Sequence, residues 1–259
     1  GTAESVRSLQ RYDLRQFWKE RYQPNNMLFA IAGKFDWEHV VKRVEERFGS
    51  WEGSASPSPS QRPVPSRRVS LELQEGKQEH LALMVPFANY TDPDYYSALV
   101  LSEVLGGNMA SRLFVEVREK RGLVYSVSAG QTSNKQIGAL RIYAGTKPDQ
   151  AHECLEVIIN ELRKLEKEGI TADELQRAKI QLKSENVMRG EGSGARMGAI
   201  ARSWWFERKV HPIQEVKEAI DAVTQESVLE LLHTHSLLHP LTVAAIGPLS
   251  EEELVGGIL

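Results

Sequence analysis

The chain of 259 residues holds a single cysteine, Cys154, and therefore no internal disulfide. Its place among apolar residues at helical spacing marks it as a buried thiol rather than a nucleophile. No run of eighteen apolar residues and no basic-then-apolar N-terminal stretch occurs, so neither a membrane span nor a signal peptide is visible. Positive charge is not in excess either: 32 Lys and Arg against 35 Asp and Glu leave a net charge of −3, which disfavours nucleic acid and anionic membranes as partners. The Gly-x4-Gly-Lys phosphate cradle is missing, and Glu191-Gly-Ser-Gly194 reads as a loop between helices.

No sequence context singles out a Ser-His-Asp or Cys-His nucleophile set. Of the seven histidines only His233, His235 and His239 cluster. The four-residue spacing of His235 and His239 can chelate zinc from one helical face, but Pro240 ends that helix and Glu230 is the one carboxylate nearby, so surface histidines are expected. With 41% hydrophobic and 26% charged residues, the composition is that of a soluble protein of one or two domains with a sizeable core. The compartment stays open.

The most informative stretch runs from Leu105 to Val127. Gly106 and Gly107 are expected to close an apolar helix through left-handed backbone, and Asn108 or Ser111 to cap the next one. In that second helix Leu113, Phe114 and Val117 share a buried stripe, Arg112, Glu116, Glu119 and Lys120 look outward, and Arg118 sits at the stripe's edge. Gly122 ends the helix. Val124 to Gly130 alternates as a strand, which puts Tyr125, Val127 and Ala129 on one face. A helix end, a glycine turn and a strand start thus separate Arg118 from Tyr125, so that both side chains can enter one cleft.

This pattern, Gly-Gly-x-x-x-Ser-Arg-Leu-Phe-x-x-Val-Arg-Glu-Lys-Arg-Gly-Leu-x-Tyr-Ser-Val, resembles the signature of the second domain of the pitrilysin and mitochondrial processing peptidase family of zinc metallopeptidases, the inverzincins. The resemblance implies that Arg118 and Tyr125 bind the substrate backbone and help to stabilise the tetrahedral intermediate at a zinc held elsewhere. Gly106, Gly107, Ser111, Arg112 and Gly122 then belong to the supporting loop. The competing reading pairs Arg118 with a carboxylate and packs Tyr125 in the core.

Along the rest of the chain, Glu4 to Gly33 predicts a helix and a strand, Met27 to Ala32, whose unbroken apolar run calls for cover on both faces. Trp37 to Phe48 is an amphipathic helix. Residues 54–68 are rich in proline and serine and predict a linker between a domain over 1–53 and another over 69–259. After it, Val69 to Leu73 and His80 to Pro86 look like paired strands, Tyr95 to Leu105 like a helix, and Gly138 to Gly145 like the partner of Val124 to Gln131 across Ser133-Asn-Lys-Gln136. Leu155, Ile158, Ile159, Leu162 and Leu165 mark a long helix, and Thr171-Ala-Asp-Glu174 a capping box that opens the next. Ser203-Trp-Trp-Phe206 is expected in the core.

A shift of 214 positions lays Val6, Leu9, Leu14, Phe17, Trp18 and Phe29 on Ile220, Val223, Val228, Leu231, Leu232 and Val243. The end of the chain therefore repeats its beginning, and two homologous domains are expected, the front of the first lying outside this sequence. The fold class is α+β: two domains, each with a mainly antiparallel sheet covered by helices, the first truncated. The family's zinc motif, His-x-x-Glu-His, does not occur in these residues. The resemblance thus implies zinc in the full-length protein or a partner and none here, with peptide or unfolded protein as substrate and a homo- or hetero-oligomer as the working form. In the family the zinc polarises a water that attacks the peptide carbonyl. The alternative is a non-catalytic partner or scaffold subunit of a heteromeric processing peptidase.

Overall fold

The computed structural model describes residues 1–55 and 69–258; most of the expected linker, and with it the domain boundary, lies outside the described residues. In chain order the elements are α1 (Ala3–Ser8), α2 (Arg11–Arg21), α3 (Trp37–Phe48), β1 (Val69–Leu73), β2 (Glu79–Phe87), α4 (Tyr95–Gly106), β3 (Val124–Ser133) and β4 (Gly138–Thr146). Then follow α5 (Ala151–Glu168), α6 (Ala172–Arg189), α7 (Ser193–Glu207), α8 (Ile213–Ala222), α9 (Gln225–Thr234), β5 (Thr242–Gly247) and α10 (Glu251–Val255).

The five strands form one sheet in the order β1-β5-β2-β4-β3, antiparallel except for the β1–β5 pair. The expected direct pairing of β1 with β2 is therefore wrong. β5, from the far end of the chain, lies between them, with His80 opposite Ile246 and Leu71 opposite Ala245. Two adjacent apolar runs joined by a turn signal a hairpin, and nothing local records a third strand inserted from 170 residues away. The β3–β4 hairpin forms as expected.

Side chains alternate along a strand, so one face of the sheet can be dry while the other meets water. Leu81, Leu83, Val85 and Phe87 of β2 and Leu140, Ile142 and Ala144 of β4 point to the dry face, all buried. His80, Ala82, Met84, Arg141 and Tyr143 point the other way, to an open face. α4 is apolar nearly all round and buried, as a helix enclosed by neighbours must be. α5 buries Cys154, Leu155, Ile158, Ile159, Leu162 and Leu165 along one stripe, each side chain adding roughly 1.5–3 kcal/mol of hydrophobic stabilisation. α6 opens on the Thr171/Glu174 capping box. Ser193 and Gly194 extend α7 rather than a loop, leaving only 190–192 between helices. The Trp204-Trp205 pair is not in the core: both rings are about two-fifths exposed, and Phe206 instead packs on Tyr90 at 4.9 Å. Consecutive residues on a helix point 100° apart, so the three aromatic residues 204–206 in a row cannot all face one core.

Residues 1–55 hold no buried side chain in any helix. Met27 to Ala32 forms no strand, contrary to expectation, because a strand exists only through hydrogen-bonded neighbours, and these residues have none among the described residues. The 214-residue correspondence nevertheless reaches into the backbone. Asp13 takes the Gln10 N–H (2.8 Å) as Ser227 takes that of Thr224 (3.0 Å), the helix caps Asp36 and Ser250 coincide, and Leu9 and Val223 end their helices on the carbonyls of Val6 and Ile220. Burial does not follow: Leu231 is fully buried, whereas Phe17 at the matching place is 58% exposed. Truncation to alanine should accordingly cost about 2–5 kcal/mol at Leu231 and under about 0.5 kcal/mol at Phe17 in this chain, read from urea unfolding midpoints.

Candidate functional site

The site is built from the end of α4 onward. Gly106 and Gly107 both keep right-handed backbone, so the expected left-handed closure is not what selects glycine. Close approach selects it: a Cβ on Gly106 would lie 2.3 Å from the Ala129 nitrogen of β3, and one on Gly107 would lie 2.1 Å from a Glu103 carboxylate oxygen. The Glu103 carboxyl, pushed up by burial and pulled partly back by Asn108, accepts from Asn108 Nδ2 at 2.5 Å. Asn108 Oδ1 in turn accepts from the Ala110 N–H (2.7 Å), and Ser111 Oγ donates to the Asn108 carbonyl (2.5 Å). Asn108 thus shapes the loop. The Ser111 carbonyl accepts the Val115 N–H at 3.0 Å, the first helical bond of the next helix.

Arg112 does not look outward as expected. Its guanidinium grips Glu174 with two parallel bonds, Nε–Oε1 2.6 Å and Nη2–Oε2 2.8 Å, and also donates to the Gly169 carbonyl at 3.0 Å. Glu174 already serves the capping box of α6, accepting from the Thr171 N–H (2.8 Å) and hydroxyl (3.0 Å). Burial works against this carboxylate, yet the bonds from Arg112 and Thr171 together hold it down at about 2. Charge-assisted, bidentate and three-quarters or more shielded, this junction ties the signature helix to the α5–α6 turn.

Residues 114–119 wind as a π-helix, the last turns of a helix that starts as α at 112. Leu113 and Val117 are buried as expected, but Phe114 is only half-buried, and the exposed Arg118 sets its guanidinium 5.0 Å from the Phe114 ring centre. Gly122, at φ +63°, makes the left-handed turn, its N–H bonded to the Arg118 carbonyl and that of Leu123 to Val117, each at 3.0 Å. β3 then begins with a bulge: Val124 pairs with Thr146 and Ser126 with Gly145, leaving Tyr125 as the extra residue. The bulge breaks the expected alternation. Val127 and Ala129 face the core side, and Tyr125, 80% exposed, stands on the open side at the free edge of the sheet.

Among the described residues no carboxylate pairs with Arg118, Tyr125 makes no hydrogen bond, and no hydrogen bond or ring contact joins the two side chains. Sequence reasoning named both, along with Gly106, Gly107, Ser111, Arg112 and Gly122. It missed Glu103 and the second role of Glu174, whose partner lies 62 residues away; the capping box was the one available signal. No group of three or more His, Cys, Asp or Glu able to hold a metal occurs among the described residues. His235 packs edge-on against Phe87. Burial pushes the Cys154 thiol up to about 12, far from the thiolate that a nucleophile needs. Among the described residues no helix is long and apolar enough to cross a membrane.

These residues form a helix-backed sheet with one open face, flanked by a glycine-rich segment that a shielded ion pair holds in place. The family model described as the peptidase M16 inactive domain matches residues 8–182, and the chain belongs to that family. A Streptomyces coelicolor protein named as an uncharacterized zinc protease is 32% identical over 265 residues, covering 98% of this chain and 57% of that protein. One from Mycobacterium leprae with the same description is 33% identical over 259 residues, covering 98% and 58%. The chain thus spans under three-fifths of the length of these curated relatives. The fold matches the peptidase M16 inactive domain of Pseudomonas fluorescens (TM-score 0.83, 24% identity, 96% of this chain and 60% of that one) and a protease of Helicobacter pylori (TM-score 0.85, 19% identity, 95% and 61%).

The ion-pair junction has a pH signature. Because the Glu174 carboxyl is held at about 2 against an ordinary 4.5, its contribution, roughly 3 kcal/mol, is full above pH 4.5 and disappears as pH falls toward 2. Glu174→Gln should lose that contribution at pH 7 and differ little from the parent at pH 2, measured by urea unfolding across the range. Gly106→Ala should destabilise by about 1–3 kcal/mol at every pH, since the clash is with backbone.

Proposed function

We propose that this chain is the substrate-clamping part of a zinc-dependent endopeptidase, with residues 69–259 as the clamping domain and 1–53 as the rear of a homologous first domain. The supporting observation is the bulge at Tyr125, which turns an exposed phenol to the open face of an edge strand, a short glycine turn after an exposed arginine. An extended peptide adds naturally to such an edge, because β3 has unpaired main-chain groups on its outer side. Tyr125 Oη and the Arg118 guanidinium then donate to the carbonyl oxygens of the bound peptide. A donor aimed at the oxygen on which negative charge develops contributes roughly 3 kcal/mol to the transition state.

The residues described here do not fit a zinc ion, so the metal belongs to another part of the full-length protein or to a partner, and no step is routed through it. The relatives named as zinc proteases support zinc in the whole protein. Val6, Leu9, Leu14, Phe17, Trp18 and Phe29 are exposed whereas Ile220, Val223, Val228, Leu231, Leu232 and Val243 at the matching places are buried, which supports cover of residues 1–53 by further parts of such a first domain.

The test is made on the full-length protein with an unfolded casein substrate. Tyr125→Phe and Arg118→Ala should each lower kcat tens- to hundreds-fold while bound zinc, measured by atomic absorption, stays unchanged. Unaltered turnover in both variants removes these residues from the site; a full-length protein without zinc turns the reading to a non-catalytic partner subunit.

A further inference from the structure

A second polar cluster lies beside Tyr125 on the open sheet face and has no part in the clamp as described. His80 of β2 pairs with Gly145 of β4, and Gly145 with Ser126 of β3, so the three share one row across the sheet. The bulge sets Tyr125 against the same row. Gly145 leaves the middle of the row without a side chain, and the phenol of Tyr143, two residues earlier on the same face, leans into that space. A Cβ placed on Gly145 would be 3.2 Å from Tyr143 Oη and 3.6 Å from Ser126 Oγ. His80 fixes the phenol there: its Nδ1 is 2.9 Å from Tyr143 Oη, and the two rings stack with centres 6.1 Å apart and planes 24° apart.

A ring laid over a glycine strengthens a strand pair, and phenylalanine would serve that purpose equally. The hydroxyl is the part left unexplained. It gains little for folding in a group that is more than a third exposed, where water would satisfy it as well. What the hydrogen bond to His80 achieves is orientation. With one valence engaged by Nδ1, the phenol oxygen keeps a donor or an acceptor free, and either one suits a peptide, whose main chain offers both carbonyl and N–H groups.

We propose that Tyr143, oriented by His80 over Gly145, is a second hydrogen-bonding subsite for an extended polypeptide, holding a main-chain group next to the one gripped at Tyr125. The inference rests on the clamping role proposed for Tyr125, and it adds a binding contact rather than a contribution to the chemical step. Tyr143 binds, and His80 is a positioning residue.

The full-length protein and fluorescein-labelled, reduced and alkylated casein provide the test, with Kd from anisotropy and kcat and KM from cleavage. Tyr143→Phe should raise Kd and KM roughly three- to tenfold, the worth of one net hydrogen bond, with kcat within about twofold and the unfolding midpoint unchanged. His80→Gln should do the same, and the double variant should be no worse than either alone, because the pair acts as one unit. Kd and KM that stay at the parent's values in Tyr143→Phe overturn the proposal, as does a loss of binding matched by a loss of stability. If the parent binds casein without cleaving it, the peptidase reading fails while Kd still decides the subsite. A parent that neither binds nor cleaves casein overturns both.

Discussion

The five-strand sheet is buried on one face only, and the rest of the structure follows from that constraint. Leu81, Leu83, Leu140 and Ile142 need a dry neighbour, which α4 and α5 supply. The strict period of two then sends His80, Arg141 and Tyr143 to the opposite side without further instruction. Tyr125 would fall on the dry side by the same count. A single extra residue in β3 reverses it, so one bulge converts a core position into an exposed phenol at the sheet edge.

Around that edge the signature segment is held by polar junctions that the hydrophobic core cannot provide. Glu174 receives Arg112 from one direction and Thr171 from another, and Glu103 receives Asn108 beneath Gly107. Buried carboxylates are costly unless bonded, which gives each of these contacts a definite geometry. Among the described residues the Arg118 guanidinium meets only the Phe114 ring, and Tyr125 makes no hydrogen bond. Rigid support under exposed donors is the arrangement expected where a flexible chain must be gripped.

The two ends of the chain make the dependence on surroundings explicit. Residues 10–13 and 224–227 use the same reciprocal caps, and Asp36 and Ser250 cap equivalent helices, so local chemistry produces the same local structure twice. Yet Val243 sits in a strand paired on both sides, while Phe29 at the matching place lies outside any strand and is exposed. Similar apolar patterns end in different burial because burial is a property of neighbours.

Much of this was legible in the residues themselves. The helix α4, the stripe of α5, the β3–β4 hairpin, the Thr171/Glu174 cap and the segment carrying Arg118 and Tyr125 all follow from periodicity, caps and glycines, which act over a few residues. The insertion of β5 between β1 and β2, the Arg112–Glu174 junction, the contact of Gly106 with Ala129 and the exposure of Trp204 and Trp205 depend on groups brought together from distant positions. The π-turn and the bulge are local but leave no compositional mark. The sequence by itself determined which elements form and which side chains are available for chemistry; the tertiary structure alone decided which faces they meet, because close packing and the pairing of buried polar groups are settled only when remote segments share the same space.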